Sequence, residues 1–329
     1  MQRAGIAVPP GFVVRTQAFE RFLEALEREN PIRAQVQALE ADDLAAVIAC
    51  AAAVRARVEE AELPKDVLDE LAMSHEMLCR MCGAPNTNES LDALAVAVRS
   101  SATTEDSADA SFAGLQDTYL WVMDAAETLR KVRSCWASLY SVESITYRRK
   151  RGFPEAGVAM AVVVQAMVDA RTAGVMFTRS PTTGDRSVIT IEGAWGLGSA
   201  VVGGEVTPDR WVLGKITGEI CIREISDKMI KHVCASGGGI EPVPVAEEQR
   251  RSPCLSDGEL QSLRALARKV ERHYGHAQDI EWAIDRVTGE ILLLQSRPET
   301  VWSAKEAAPV AKAAENPLSH VMSIFGGRR

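Results

Sequence analysis

Two short stretches near residue 290 carry side chains suited to holding a charged ligand. Side chains alternate across a strand, so Asp279 and Glu281 share one face of the first stretch, and Gln295 and Arg297 share one face of the second. Val287-Thr288-Gly289 between them reads as a turn. A hairpin centred there sets Glu281 roughly opposite Gln295, and one sheet face then offers a carboxylate, an amide oxygen and a guanidinium. Mg²⁺ held between protein and phosphates takes one or two protein oxygens and leaves its other positions to substrate and water. An arginine beside it neutralises charge on a transferring phosphoryl group. By residue type alone, the same set also suits a cross-strand polar pair on a solvated sheet face.

A second constellation runs from Arg99 through Ser100, Ser101, Ala102, Thr103 and Thr104 to Glu105-Asp106, and on to Phe112–Thr118 with Gly114 inside it. Small residues let backbone N–H groups approach phosphate oxygens, and an arginine at the end of a strand pairs with phosphate in bidentate fashion. Ser/Thr-rich loops also simply turn. A third, Glu192-Gly193-Ala194-Trp195-Gly196-Leu197-Gly198, followed by Gly203-Gly204-Glu205, has no third glycine for a dinucleotide fingerprint, and no Walker lysine occurs. It reads as a mobile loop near a site or as tight turns, and its spacing does not separate the two. Cys79-x-x-Cys82, one helical turn after His75, has no second pair and is read as a solvated helix end rather than a metal site.

These groups need elements to position them. Phe19, Phe22, Leu23 and Leu26 recur on one helical face, residues 43–62 are alanine-rich, and a further helix is predicted from Pro64 to just before Gly83. Short strands are predicted at 94–98 and 119–122. Between 125 and 150 a single helix is expected, ending in the solvated basic cluster Arg148–Arg151. Strands follow at 158–168, 173–177, 187–192, 210–214 and 219–224. A helix over 257–274 starts in a capping box at Ser256, and the hairpin 279–284/291–295 closes the fold. After Trp302 the composition becomes that of a linker or tail. The expected division is a first lobe at 1–185, a second at 186–303 and a tail at 304–329.

The 329 residues carry a formal charge of -8, which disfavours broad nucleic-acid binding. Seven irregularly spaced cysteines fit reduced thiols. The start has no signal-peptide core, and the apolar run 158–168 is too short to span a bilayer and contains Gln165. A cytoplasmic protein without membrane association is expected.

Four stretches in order, VRSSATTEDSADASFAGLQDTYL (98–120), GVMFTRSPTTGD (174–185), EGAWGLGSAVVGGEVTPDRW (192–211) and HYGHAQDIEWAIDRVTGEILLLQSRPET (273–300), together with RAGIAVPPGFVV (3–14), resemble the ATP-binding domain of the phosphoenolpyruvate synthase and pyruvate phosphate dikinase family. The resemblance covers residues 3 to about 302. It implies an α+β, ATP-grasp fold with mixed or antiparallel sheets, a helical N-terminal part, and ATP and Mg²⁺ between two lobes. It further implies cleavage of ATP to AMP and phosphate, with the β-phosphoryl passed to a histidine on a partner domain. Carried over by motif, Arg99 meets the phosphates, Gly114 and Thr118 line the nucleotide loop, and Gln165 lies on the adenine side. Glu281 and Gln295 match the Mg²⁺-linked positions, and Arg297 the phosphate-contacting arginine.

Two departures stand out. The lysine-bearing, glycine-rich segment that precedes the Arg3–Pro10 match in this family does not appear, and neither do the histidine and acceptor domains. Ser319-His320-Val321-Met322 lacks the glycine-threonine approach of the histidine motif and reads as tail. The arrangement most resembles the separate ATP-binding subunit of phenylphosphate synthase, working with a subunit that carries the phosphohistidine and acceptor domains. The resemblance implies a small acceptor, such as phenol in a phenylphosphate synthase-like system or pyruvate, and this chain does not name which. The alternatives are a non-catalytic nucleotide-sensing module and an interaction subunit whose polar hairpin is structural.

Overall fold

A computed structural model describes residues 1–28, 30–83, 94–103, 106–107, 110–111 and 117–302. It divides into two compact units, Met1–Glu299 and Thr300–Arg329.

The N-terminal half is four antiparallel strands under a layer of helices. Strand β1 (Gly11–Val14) is followed by α1 (Thr16–Leu26), α2 (Ile32–Gln37), α3 (Leu44–Glu60) and α4 (Lys65–Met81). Then come β2 (Val96–Ala102), the two-residue pairing of β3 (Asp106–Ser107) with β4 (Ala110–Ser111), and β5 (Thr118–Val122). Helices α5 (Ala125–Ser138) and α6 (Val142–Arg151) precede β6 (Met160–Ala166). The sheet order is β1-β6-β2-β5. One face of β2 sends Val96 and Val98 into a core with Val132, Trp136 and Ile145. Phe19 and Phe22 pack against Trp136 with ring centroids 5.7 and 5.0 Å away, within the range favoured by aromatic pairs.

The single helix expected over 125–150 is two helices. Ser141 accepts a hydrogen bond from the Ser144 amide and caps α6. The guanidinium of Arg148, fully buried, donates to the freed Leu139 carbonyl at 2.7 Å and grips the Glu155 carboxylate at 3.0 and 3.2 Å. The first member of the basic cluster is therefore an internal strut and not part of a solvated end. Helix α4 buries His75 and Cys79, with Nδ1 and Sγ 3.7 Å apart. Among the described residues no group of three or more His, Cys, Asp or Glu is placed to hold a metal.

The second half is a six-stranded antiparallel sheet in the order β10-β9-β8-β7-β13-β14. Its strands are β7 (Ala170–Phe177), β8 (Val188–Trp195), β9 (Asp209–Gly214), β10 (Ile220–Glu224), β13 (Gln278–Asp285) and β14 (Ile291–Pro298), with the short helix α7 (Ser199–Val202) after β8. A separate hairpin, β11 (Ile230–Cys234) and β12 (Ile240–Pro244), leads through α8 (Glu247–Arg250) to α9 (Asp257–Tyr274). Helix α9 keeps its capping box at Ser256 and buries Leu260, Leu263, Ala267 and Val270 in the core beneath the sheet. The class is α+β, with every paired strand antiparallel among the described residues. Strand β7 already belongs to the second sheet, so the sheets change over between Ala166 and Ala170, ahead of the division read at 185.

The glycines of the third constellation have a packing role. Gly193 lies inside β8, opposite Gly174 of β7, which is itself opposite Trp282 of β13. A Cβ on Gly193 would sit 3.0 Å from the Trp282 ring, and one on Gly174 would sit 2.0 Å from the Glu192 carbonyl oxygen. Glycine there lets three strands close over a fully buried indole.

Candidate functional site

The alternation that buries Val96 and Val98 turns Ala97 and Arg99 toward the other face of β2, where they line a cleft of about 640 Å³. Thr118 stands opposite Arg99 in the β2–β5 pairing, and Gln165 of β6 stands opposite Ala97. The far wall comes from the closing hairpin. Its register sets Glu281 opposite Gln295 and Asp279 opposite Arg297, and a register shift falls between Glu281 and Trp282. Six of the seven residues singled out in the sequence, Arg99, Thr118, Gln165, Glu281, Gln295 and Arg297, line this one cleft. The seventh, Gly114, lies outside the described residues.

One atom joins the two sheets. Nη1 of Arg99 donates to Glu281 Oε2 at 3.0 Å and to Gln295 Oε1 at 2.9 Å. Both oxygens therefore converge on a single cationic point. The Nε–H of the same guanidinium is buried and has no protein acceptor among the described residues. Two oxygens aimed at one cation, beside a buried donor with no acceptor, suit a divalent ion carrying an anionic ligand.

Along the strand, Arg297 Nε lies 3.5 Å from Asp279 Oδ2. Burial pushes the Asp279 carboxyl up to about 6, Arg297 opposes this and Glu299 adds to it. The other end of the cleft is apolar, walled by Trp121, Met167, Val168, Leu197, Ala283 and Leu294. Buried Gln165 marks the passage between the two ends, its Nε2 3.5 Å from the Pro9 carbonyl. The cleft is thus amphiphilic, with an apolar wall in one part and converging charge in another.

The hairpin β11–β12 has no counterpart in the elements predicted from sequence, and it contributes to the site. Its tip, Gly237–Gly239, lines the cleft, and the Gly239 amide donates to the Trp121 carbonyl at 2.9 Å. Trp121 takes a left-handed φ of 57°, unusual for a bulky residue. Three consecutive glycines were the available signal; the flanking strands, with Pro242 and Pro244 in β12, gave little alternation to read.

Residues 1–317 match the family described as "Pyruvate phosphate dikinase, AMP/ATP-binding domain". The chain is 40% identical over 300 residues to a probable phosphoenolpyruvate synthase of Methanothermobacter thermautotrophicus, covering 91% of this chain and 42% of the relative. It is 38% identical over 326 residues to a probable phosphoenolpyruvate synthase of Methanocaldococcus jannaschii, covering 99% and 26%. A rifampicin phosphotransferase from a Streptomyces species is 40% identical over 296 residues, covering 90% and 32%. The chain therefore spans between about a quarter and two fifths of the length of these curated relatives. No helix among the described residues is long and apolar enough to cross a membrane.

Proposed function

Because the chain belongs to the pyruvate phosphate dikinase AMP/ATP-binding family, we propose that its cleft binds Mg-ATP and that it forms the ATP-cleaving part of a dikinase-type phosphotransferase. The observation that carries this reading is the convergence of Glu281 and Gln295 oxygens on Arg99 in a cleft that also has an apolar wall. The apolar wall suits a purine ring, and Gln165 at its border offers an amide for the base edge. Glu281 and Gln295 hold Mg²⁺, which neutralises phosphate charge when bound. Arg99 and Arg297 orient the phosphate chain and balance charge as the phosphoryl group moves. Thr118, opposite Arg99, borders the phosphates from the first sheet. Two sheets closing on ATP from either side correspond to an ATP-grasp arrangement.

In this reading ATP and water go to AMP and inorganic phosphate, the γ-phosphoryl leaving as that phosphate, while the β-phosphoryl passes to a histidine on a partner domain or subunit that also carries the acceptor site. A small acceptor such as pyruvate, or phenol in a phenylphosphate synthase-like system, receives it there. The test is to incubate the chain with ATP, Mg²⁺ and a histidine-bearing partner domain. AMP and phosphohistidine formed in equal amounts are expected; ADP as the only nucleotide product overturns the reading.

A further inference from the structure

Away from the cleft, helix α4 presents an apolar face to solvent. Its inner side buries Val67, Leu71, His75, Leu78 and Cys79. On the outer side Met73, Met77 and Met81 are 69, 56 and 62% exposed. Residues four apart form one ridge along a helix, so three long apolar side chains stand in line. Helix α9, of similar length, turns Ser262, Lys269, Arg272 and His273 outward instead. A single exposed apolar residue needs no explanation, but an ordered row of them marks a contact surface. Methionine, unbranched and polarisable, adapts well to such contacts.

The charges beside the ridge select its occupant. Asp66 pairs with Arg21 and Glu76 with Arg80, while Asp69 and Glu70 form no ion pair among the described residues. Beyond Lys65 at the very start, Asp66, Asp69 and Glu70 gather in the first half of the helix, and Arg80 stands near its end. Asp69 and Arg80 are eleven positions apart, close to three whole turns, so they project from the same flank of the ridge. A helix that is acidic in one half, basic near the other end and apolar between complements a reversed copy of itself.

Antiparallel pairing about a twofold axis level with His75 sets Met73 of each copy against Met77 of the other. Asp69, six positions before that level, then comes beside Arg80 of the second copy, five positions after it. The helix dipoles are also opposed, which favours this direction. A parallel twofold would set Asp69 on Asp69 and Glu70 on Glu70, like charge against like. We infer that the methionine ridge of α4 is a self-association surface, through which two copies of the chain join by antiparallel α4 helices. One helix face is smaller than the ~800 Å² per partner of a standard interface, so a reversible dimer with a dissociation constant on the order of 10 µM is expected. This inference is independent of the nucleotide reading.

The test is sedimentation velocity of the full chain from about 1 to 200 µM, a range that brackets the expected constant. The wild type should pass from monomer to dimer across it. Met77→Lys should weaken dimerisation by roughly tenfold or more, with circular dichroism unchanged because the side chain is exposed. Arg80→Glu and Asp69→Arg should each weaken it by about three- to tenfold, and the double variant should regain most of the wild-type affinity. Asp69→Arg lowers the net negative charge, so general repulsion alone would strengthen association where loss of the pair weakens it. Within one helix the two residues are about 16 Å apart, out of reach of each other, so recovery in the double variant reports contact between copies. A wild type that stays monomeric throughout overturns the inference and leaves the ridge to a different partner. A dimer indifferent to Met77→Lys is built on another surface and overturns it too. Stronger association in Asp69→Arg, or a double variant no better than either single one, overturns the antiparallel pairing and with it the proposed contact.

Discussion

Arg99 Nη1 lies 3.0 Å from Glu281 Oε2, a bond between residues 182 positions apart that ties the four-stranded sheet to the six-stranded one. The same atom holds Gln295 at 2.9 Å. Under the proposed function a divalent cation would compete with the guanidinium for these two oxygens, and Mg-ATP binding would require Arg99 to leave them and turn to phosphate, where its planar fork is matched bidentately.

The first prediction follows from that exchange. Arg99→Ala should weaken Mg-ATP binding by about tenfold or more, the scale of a charge-assisted contact, and weaken AMP binding less. The fold should change in stability by no more than about 1 kcal/mol, since a partly solvated ion pair contributes little. Arg99→Lys should recover only part of the affinity. Calorimetry and thermal denaturation on each variant check this, and equal losses for ATP and AMP would contradict it.

Glu281 is expected to control the metal. Glu281→Gln keeps the side-chain volume and removes the charge, so the Mg²⁺ concentration giving half-maximal ATP turnover should rise by roughly tenfold or more. Glu281→Ala should abolish turnover while circular dichroism and melting stay close to wild type. A Mg²⁺ titration that is unchanged in Glu281→Gln would place the metal elsewhere.

The Asp279 carboxyl titrates at about 6 in the folded protein, chiefly because it is buried. In the unfolded chain an aspartate titrates near 4. Between those values the folded state binds more protons, so this group's contribution to stability is present below about pH 4 and is lost as pH rises through about 6. Stability of the wild type relative to Asp279→Asn should therefore fall across that window, by on the order of 1–3 kcal/mol. Urea denaturation of both proteins at pH 4.5 to 7.5 measures it. A difference that grows with pH would mean that Arg297 outweighs burial.

The hairpin was legible because strand alternation and turn position together fix a register, and Glu281 does face Gln295. Helix α9 was legible for a similar reason, its Ser256–Glu259 box being a local signal at a defined spacing. What escaped depends on long-range contacts. That Arg99 meets Glu281 follows from packing two sheets, which no local pattern encodes. The split between α5 and α6 is held by Arg148 reaching back to Leu139 and across to Glu155, and an arginine at the end of a helix reads on sequence as solvated. The hydrogen-bonded Ser199–His232–Glu205 chain joins the turn after β8 to β11, a contact between two segments that no local pattern encodes.

Gly193 illustrates how a cleft-side motif can be required for packing. Gly193→Ala places a methyl group against the Trp282 ring, where even the ideal Cβ sits 3.0 Å away. Overpacking of this kind costs about 1–3 kcal/mol. The variant should lose that much in chemical denaturation, and the companion change Trp282→Phe should restore part of it. No recovery in the double variant would show that the strain lies in the backbone and not against the indole.

A buried ion pair beneath β9 gives the last prediction. Lys228 Nζ lies 2.6 Å from Asp209 Oδ1, and both side chains are fully buried. Asp209 also accepts the Ser226 and Cys254 amides, each at 2.9 Å, while Lys228 donates to the Ser226 carbonyl at 3.0 Å. The pair therefore secures three segments that approach from different parts of the chain. Removing one partner leaves the other charge buried and uncompensated, which costs about 3–5 kcal/mol. Lys228→Met and Asp209→Asn should each be strongly destabilised. The double variant buries no unpaired charge and should fall well short of the sum, because residues sharing one network are not additive. Urea denaturation of the four proteins closes the cycle; strict additivity would show that the two charges do not depend on each other.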